Sequence, residues 1–151
     1  MDGKAISESL IEVCTQVREE DLNHYGSIHG GRLFTLADEV GFLAAHEHTQ
    51  AKCVTVAAHQ AHFSRPLPLG TKLNLTAQVV LVGRSSMWVN VQISAEDQGS
   101  FTPAMRVVIV YVAVDEDFKP IQVAKALARS SEEKEQQARM KSLRRWARGQ
   151  A

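Results

Sequence analysis

Residues 29–46, HGGRLFTLADEVGFLAAH, are apolar on most sides of a helix, and this limits what the chain can build. Helical periodicity puts Leu33, Leu36, Ala37, Val40, Leu43 and Ala44 on one core stripe. Steps of three, four and seven residues from Asp38 give a second stripe: Gly31, Phe34, Gly41, Phe42 and Ala45. A helix apolar on most of its girth is a buried helix, so the rest of the chain must wrap around it. The pattern predicts this helix from about Gly30 to His48.

Strands supply the wrapping. Residues 10–18 alternate, with Ile11, Val13, Thr15 and Val17 on one face and Glu12 and Gln16 on the other. Residues 53–64 are strand-like but mixed in pattern. Residues 72–83 set Leu73, Leu75, Ala77, Val79 and Leu81 against Lys72, Asn74, Thr76 and Gln78. Residues 86–97 set Met87, Val89, Val91, Ile93 and Ala95 against Trp88, Asn90, Gln92, Ser94 and Glu96. Residues 104–114 are almost continuously apolar, which predicts a central strand covered on both faces. The fold class that follows is α+β, an antiparallel sheet curled around one long helix. Five strands leave edges to cover, and edge-to-edge dimerisation is one solution. A charged C-terminal helix is predicted over about 130–148, opened by Ser130 and Glu133 as a capping box. Its Met140, Leu143 and Trp146 are spaced to pack on the body or on a neighbouring chain. Its basic residues Arg139, Lys141, Arg144, Arg145 and Arg148 read most simply as a solvated face suited to a helix C-terminus. With no repeat or low-complexity linker, residues 1–151 are expected to form one domain with a core over about 8–125.

Asp38 is the exception on its stripe. Its neighbour Glu39 steps to Arg32, Thr35 and His46, a polar and solvated set. A half-buried carboxylate destabilises a fold unless it is paired or put to use. The segment before it, Asp21 to Gly31, is rich in turn residues and ends in two glycines where the helix begins. A helix N-terminus offers unpaired N–H groups and a positive dipole end, and glycine lets another group approach them. That suits a developing oxyanion. A carboxylate, an Asn and oxyanion donors together point to acyl transfer to water. Plainer readings stand beside this one. Asp38 could be satisfied by a local hydrogen bond or an interface salt bridge. Asn23 could simply shape a turn. Gly30 and Gly31 could simply give a tight start to a buried helix.

The run N-x-x-G-x-x-HGG-x-L-x-x-x-x-D-E, residues 23–39, resembles the acyl-CoA thioesterases of the hotdog fold. The pattern is nearest to the brain-type acyl-CoA hydrolases and their bacterial single-domain relatives. The resemblance spans roughly residues 10–147. It takes in Val54-Thr55, Phe63 with Arg65-Pro66, Val82 to Met87, Tyr111 to Asp115, and Lys119-Pro120-Ile121. It implies that Asp38 is general base or nucleophile, and that Asn23 orients the water or the thioester. Gly30 and Gly31 would be the oxyanion donors, with a polar contact from His29. It also implies that Thr55 borders the site, and that Gly83, Arg84, Ser85 and Ser86 touch the nucleotide or phosphates of coenzyme A. Arg is well suited to phosphate, although a hairpin turn alone also explains that segment, and β-propensity alone explains Thr55. Coenzyme A enters as part of the substrate, with no separate cofactor. The implied assembly is a homodimer at least, and in this family trimers of dimers (hexamers) occur. Two residues depart from the family pattern: His59 stands where an acidic residue is usual, and His62 where Asn is usual. Three alternatives stay open. One is a thioesterase for aryl or phenylacetyl-type CoA, another is a non-catalytic acyl-CoA-binding module, and the third is a structural homo-oligomer.

Helix geometry adds a constraint of its own. Asp38 lies seven residues past Gly31 on the same helix face, so the two are about 10 Å apart along the axis. One thioester carbon cannot touch both within one chain. If both serve one site, that site straddles two antiparallel helices of a dimer.

Seventeen basic and seventeen acidic residues balance to zero, which argues against a nucleic-acid or general polyanion binder. No stretch approaches the roughly 20 apolar residues of a membrane helix. The N-terminal MDGKAISESL lacks a signal-peptide apolar run, and a cytoplasmic protein without a membrane partner is expected. Cys14 and Cys53 are expected as buried free thiols. His59 and His62, three apart on a strand, should point to opposite faces, and His46 and His48 diverge on the helix, so no metal site is expected.

Overall fold

Helix α1 runs Gly30–Thr49 and stops at Gln50, whose left-handed backbone (φ 57°) directs its N–H to the His46 carbonyl. The chain is described by a computed structural model over residues 2–150. Leu33, Leu36, Ala37, Val40, Gly41, Ala44, Ala45 and His48 are the buried residues of α1. Leu43, expected in the core, is instead 44% exposed, beside Phe42 at 39%. The sheet embraces only one side of the helix, and these two side chains are on the side it leaves open.

The strands are β1 (Lys4–Ala5), β2 (Ile11–Gln16), β3 (Lys52–Phe63), β4 (Lys72–Val82), β5 (Ser86–Asp97), β6 (Ser100–Val114) and β7 (Ala126–Leu127). Five form one antiparallel sheet in the order β2-β4-β5-β6-β3. β1 and β7 form a small parallel pair that the sequence pattern does not reveal. The core lies between α1 and the inner face of the sheet. Its inner residues include Leu75, Val79, Val89, Ile93, Val107, Ile109 and Tyr111, all at most a few per cent exposed. Strand β6 is interior but one strand in from the β3 edge, with β5 at the centre.

Two departures from strict alternation have one cause, a bulge. In β4 the register shifts between Val79 and Leu81, so Leu81 pairs with Trp88 on the outer face rather than lining the core. The Val80 carbonyl accepts a hydrogen bond from Gln137 Nε2 (3.0 Å) in helix α2 (Ser131–Gly149). In β3 the register shifts twice, between Thr55 and Ala57 and between His59 and His62. The second shift includes Gln60 at φ 54°. His59 and His62 pair with Val108 and Arg106, two residues apart on β6, so both imidazoles share the outer face. This corrects the opposite-face expectation and explains the mixed pattern of residues 53–64. His59 stacks on Trp88, ring centroids 5.3 Å apart.

α2 begins with the expected capping box, the Ser130 hydroxyl accepting from Glu133 N–H. Met140 and Leu143 bury against the outer face, whereas Trp146 is 57% exposed. Cys53 is buried and its thiol is pushed up to about 11 by that burial. Cys14 is exposed, contrary to expectation: it pairs with Asn74 and so belongs to the polar face of β2 with Glu12 and Gln16.

His48, 2% exposed, gives the fold a pH dependence. Its Nε2 lies 2.7 Å from the Ala124 carbonyl, which fixes the proton there, and its Nδ1 is buried without a partner among the described residues. Burial holds its pKa below the ordinary 6.5, with Lys4 adding to the effect and the Ala124 bond and Glu8 opposing it. The unfolded chain takes up a proton as pH falls through about 6.5, while the folded chain stays neutral. The stabilisation is therefore complete above about pH 6.5 and is lost as pH falls from there toward the lower folded value. Thermal midpoints measured between pH 5 and 8 should decline on the acid side, and His48→Gln should flatten that slope.

Candidate active site

Thr55, Tyr111 and Met87 are cross-strand neighbours on β3, β6 and β5, on the inner face. Asp38 of α1 comes down onto this row. Its Oδ1 accepts a hydrogen bond from Thr55 Oγ1 (3.0 Å) and one from the Tyr111 hydroxyl (2.9 Å). The same hydroxyl lies 2.9 Å from the Asp38 main-chain carbonyl. Tyr111 is fully buried, and its phenol is held far above the ordinary range, first by burial and then by the Asp38 charge and hydrogen bond. It therefore stays protonated and donates. Gly41, one turn on from Asp38, makes room for it: a Cβ there would collide with the Tyr111 hydroxyl.

Two donors on Oδ1 leave Asp38 Oδ2 without a donor among the described residues. The carboxylate is half-buried, as its stripe implied, and Glu39 is exposed. Asp38 opens onto a cavity of about 400 Å³ lined also by Glu39, Phe42, Leu43 and Thr55. Phe42 and Leu43 give this cavity exposed apolar side chains, and Val56 of the edge strand β3 is 54% exposed.

The other candidate residues gather at the start of α1. Asn23 Oδ1 accepts from the backbone N–H groups of Tyr25 (2.9 Å) and Ser27 (3.2 Å), and its Nδ2 donates to Ser27 Oγ (3.3 Å). It shapes its loop in the manner of an Asx turn and keeps one amide hydrogen without an acceptor among the described residues. His29 is the N-cap of α1, its Nδ1 accepting from Gly31 N–H at 3.1 Å. A neutral His29 must then carry its proton on Nε2. Of the two glycines, Gly30 has the N–H without an acceptor among the described residues, and the space where its Cβ would stand is open. The loop is pinned to the helix by Asp21, a buried carboxylate that accepts from Arg32 Nε (2.9 Å) and Arg18 N–H (2.9 Å). No hydrogen bond joins Asn23, Gly30 or Gly31 to Asp38. One unbroken helix separates the glycines from it by about 10 Å.

The turn Gly83-Arg84-Ser85-Ser86 joins β4 to β5 and is closed by Gly83 N–H on the Ser86 carbonyl (2.9 Å). Ser86 pairs with Val112, which pairs with Val54, so the turn is at the Thr55–Tyr111 end of the sheet. Arg84 is exposed, and Lys125 Nζ donates to the Gly83 carbonyl at 2.6 Å. Lys125, Lys141 and Arg144 line one small cavity of about 280 Å³ nearby. The Arg144 guanidinium is lowered from its ordinary range by burial and by the charges of Arg148 and Arg145. Among the described residues no group of three or more His, Cys, Asp or Glu could hold a metal ion, and no helix is long and apolar enough to cross a membrane.

Sequence reasoning missed Tyr111, Gly41 and the Asp21–Arg32 pair as parts of the site. A signal was available for the first: a phenol in a strand buried on both faces needs a hydrogen-bond partner inside.

The family model described as thioesterase superfamily matches residues 25–102, more than half of the chain. The acyl-CoA thioester hydrolase YciA of Salmonella typhimurium is 32% identical over 80% of this chain and 92% of its own. A solved acyl-CoA hydrolase from Staphylococcus aureus, in complex with butyryl coenzyme A and coenzyme A, is 30% identical. The match covers 97% of this chain and 94% of that one, with a TM-score of 0.83. A hexameric acyl-CoA thioesterase superimposes with a TM-score of 0.90 at 28% identity, over 99% of this chain and 98% of that one. The Staphylococcus enzyme has also been solved with an Asn, an Asp and a Thr each replaced by Ala. Those three residues follow one another at the same spacings as Asn23, Asp38 and Thr55 in this chain.

Proposed function

We infer, because the chain belongs to the thioesterase superfamily and shares the hotdog fold of acyl-CoA hydrolases, that it is an acyl-CoA thioesterase, releasing a free carboxylic acid and CoA. The observation that carries the assignment to a site is Asp38: one carboxylate oxygen is held by two hydroxyls, the other has no donor among the described residues, and the residue lines an open cavity with Phe42 and Leu43. Oδ2 takes a proton from water as the water oxygen bonds to the thioester carbon. The resulting oxyanion is met by the Gly30 N–H at the positive end of α1. Its collapse breaks the carbon–sulfur bond, and the CoA thiolate recovers the proton from Asp38. Direct attack by Oδ2 to give a mixed anhydride, which water then hydrolyses, uses the same atoms. In either path the Asn23 amide hydrogen orients water or thioester, and the His29 cap fixes the backbone of Gly31 beside Gly30.

In this reading Asp38 of one protomer works with Asn23, Gly30 and Gly31 of its partner, and the rise of about 10 Å along the helix supports it. The dimer is the minimum active unit. Exposed Phe42, Leu43 and Val56 and the free β3 edge support this reading, and assembly into a hexamer is consistent with the similar hexameric enzyme. Arg84, with Gly83, Ser85 and Ser86 shaping its turn, receives the phosphates of CoA, with Lys125 adding charge. Water attack on a thioester needs only a base and oxyanion donors, so no cofactor takes part. The whole chain acts as one domain, and its two free thiols fit a reducing cytoplasm.

Free-thiol release from short, medium and long acyl-CoA, with an aryl thioester alongside, tests the reading. Turnover of at least one aliphatic acyl-CoA is expected. Preference for the aryl substrate would move the chain to the phenylacetyl branch. CoA binding without turnover of any of them would make it a binding module.

A further inference from the structure

We propose that Tyr111 is a positioning residue for Asp38, and that Gly41 exists in α1 to admit its hydroxyl. The proposal rests on Asp38 being the reacting carboxylate. An Asp side chain turns about two bonds, and a single hydrogen bond would let its two oxygens exchange. Here Oδ1 is gripped from two different strands, by Thr55 of β3 and Tyr111 of β6. The Tyr111 hydroxyl also lies 2.9 Å from the Asp38 carbonyl, so it ties the carboxylate to the helix backbone. The two hydroxyls hold Oδ1 in place and leave Oδ2 as the oxygen without a donor among the described residues. Such preorganisation lowers the barrier without changing how tightly the substrate is held.

Gly41 is the independent observation. A mid-helix glycine is unfavourable relative to alanine, and its backbone here is ordinary helix, so conformational freedom does not explain it. Space does: among the described glycines with side-chain neighbours, it is the one whose Cβ would strike a tyrosine hydroxyl already bonded to a candidate catalytic residue.

The test compares wild type, Tyr111→Phe, Asp38→Asn and the variant carrying both, on the acyl-CoA that wild type turns over fastest. Tyr111→Phe should lower kcat about tenfold, the effect of losing one hydrogen bond to a charged group, and leave KM within about twofold. In the Asp38→Asn background the same change should have no further effect, since Tyr111 acts only through the carboxylate. An unchanged kcat, a rise in KM alone, or an equal fall in both backgrounds would overturn the proposal. Should Tyr111→Phe fold poorly, Gly41→Ala/Tyr111→Phe puts a methyl beside the vacated space, with the ring carbons at 3.2 and 3.3 Å giving way by a few tenths of an ångström. The kcat loss should persist in it, and wild-type kcat there would overturn the proposal. Wild-type activity in Asp38→Asn would remove the site reading itself, and the proposal with it. Collapse in Asp38→Asn beside a normal Tyr111→Phe would sink the proposal alone.

Discussion

Asp38→Asn lowers acyl-CoA turnover by about 10² or more, the range expected when a general base is lost. The substitution exchanges one oxygen for an amide nitrogen and changes almost nothing else. The remaining Asn oxygen can keep both donors, Thr55 Oγ1 and the Tyr111 hydroxyl, which leaves the NH₂ group where Oδ2 stood. An amide cannot take a proton from water at neutral pH, nor form an anhydride. The fold should therefore survive, with a thermal midpoint close to that of wild type, while thiol release collapses. Wild-type turnover in a folded variant would show that the carboxylate is structural.

Asp38→Ala and Asn23→Ala chains, each inactive alone, regain activity when mixed and allowed to exchange subunits. In a heterodimer one site carries both substitutions and the other carries neither. Equal mixing with random exchange gives half heterodimers, so about a quarter of the wild-type sites return. The expectation follows from the helix itself, since α1 is unbroken from Gly30 to Thr49 and holds the two ends of the site apart. Mass spectrometry establishes that heterodimers form, and thiol release counts their sites. Heterodimers without activity would mean that each site is built within one chain.

Most of the fold was legible because its periods are clean. The strands at 72–82 and 86–97 bury the residues that alternation named, as far as the bulge at Val80. The limits of that reading are physical. A bulge adds one residue and reverses every side chain after it, so Leu81 and His62 point the way alternation forbids. Leu43 fits the apolar period of α1 as well as Val40 does, but period alone cannot say which side of a helix a five-stranded sheet will leave bare. Cys14 looked like a core thiol because cysteine often is one, yet its register beside Asn74 decides its exposure. The site divides in the same way. Asp38 stood out because a carboxylate on an apolar stripe is anomalous within the helix. Tyr111, seventy-three positions away, could not be tied to it without the sheet register that brings β6 under α1. The two glycines at positions 30 and 31 read alike in sequence, and only the His29 cap tells their N–H groups apart.

Gly41 and Tyr111 also set an order in which this protein can change. A larger residue at position 41 meets the phenol oxygen at once, so substitution there is tolerated only after position 111 has given up its hydroxyl. The reverse step is free of that clash: Phe at position 111 fits beside Gly41 as it stands. Mutational paths through this pair therefore pass through the variant with Phe at position 111 and Gly41 unchanged. A lineage that has filled position 41 cannot regain the tyrosine by a single exchange.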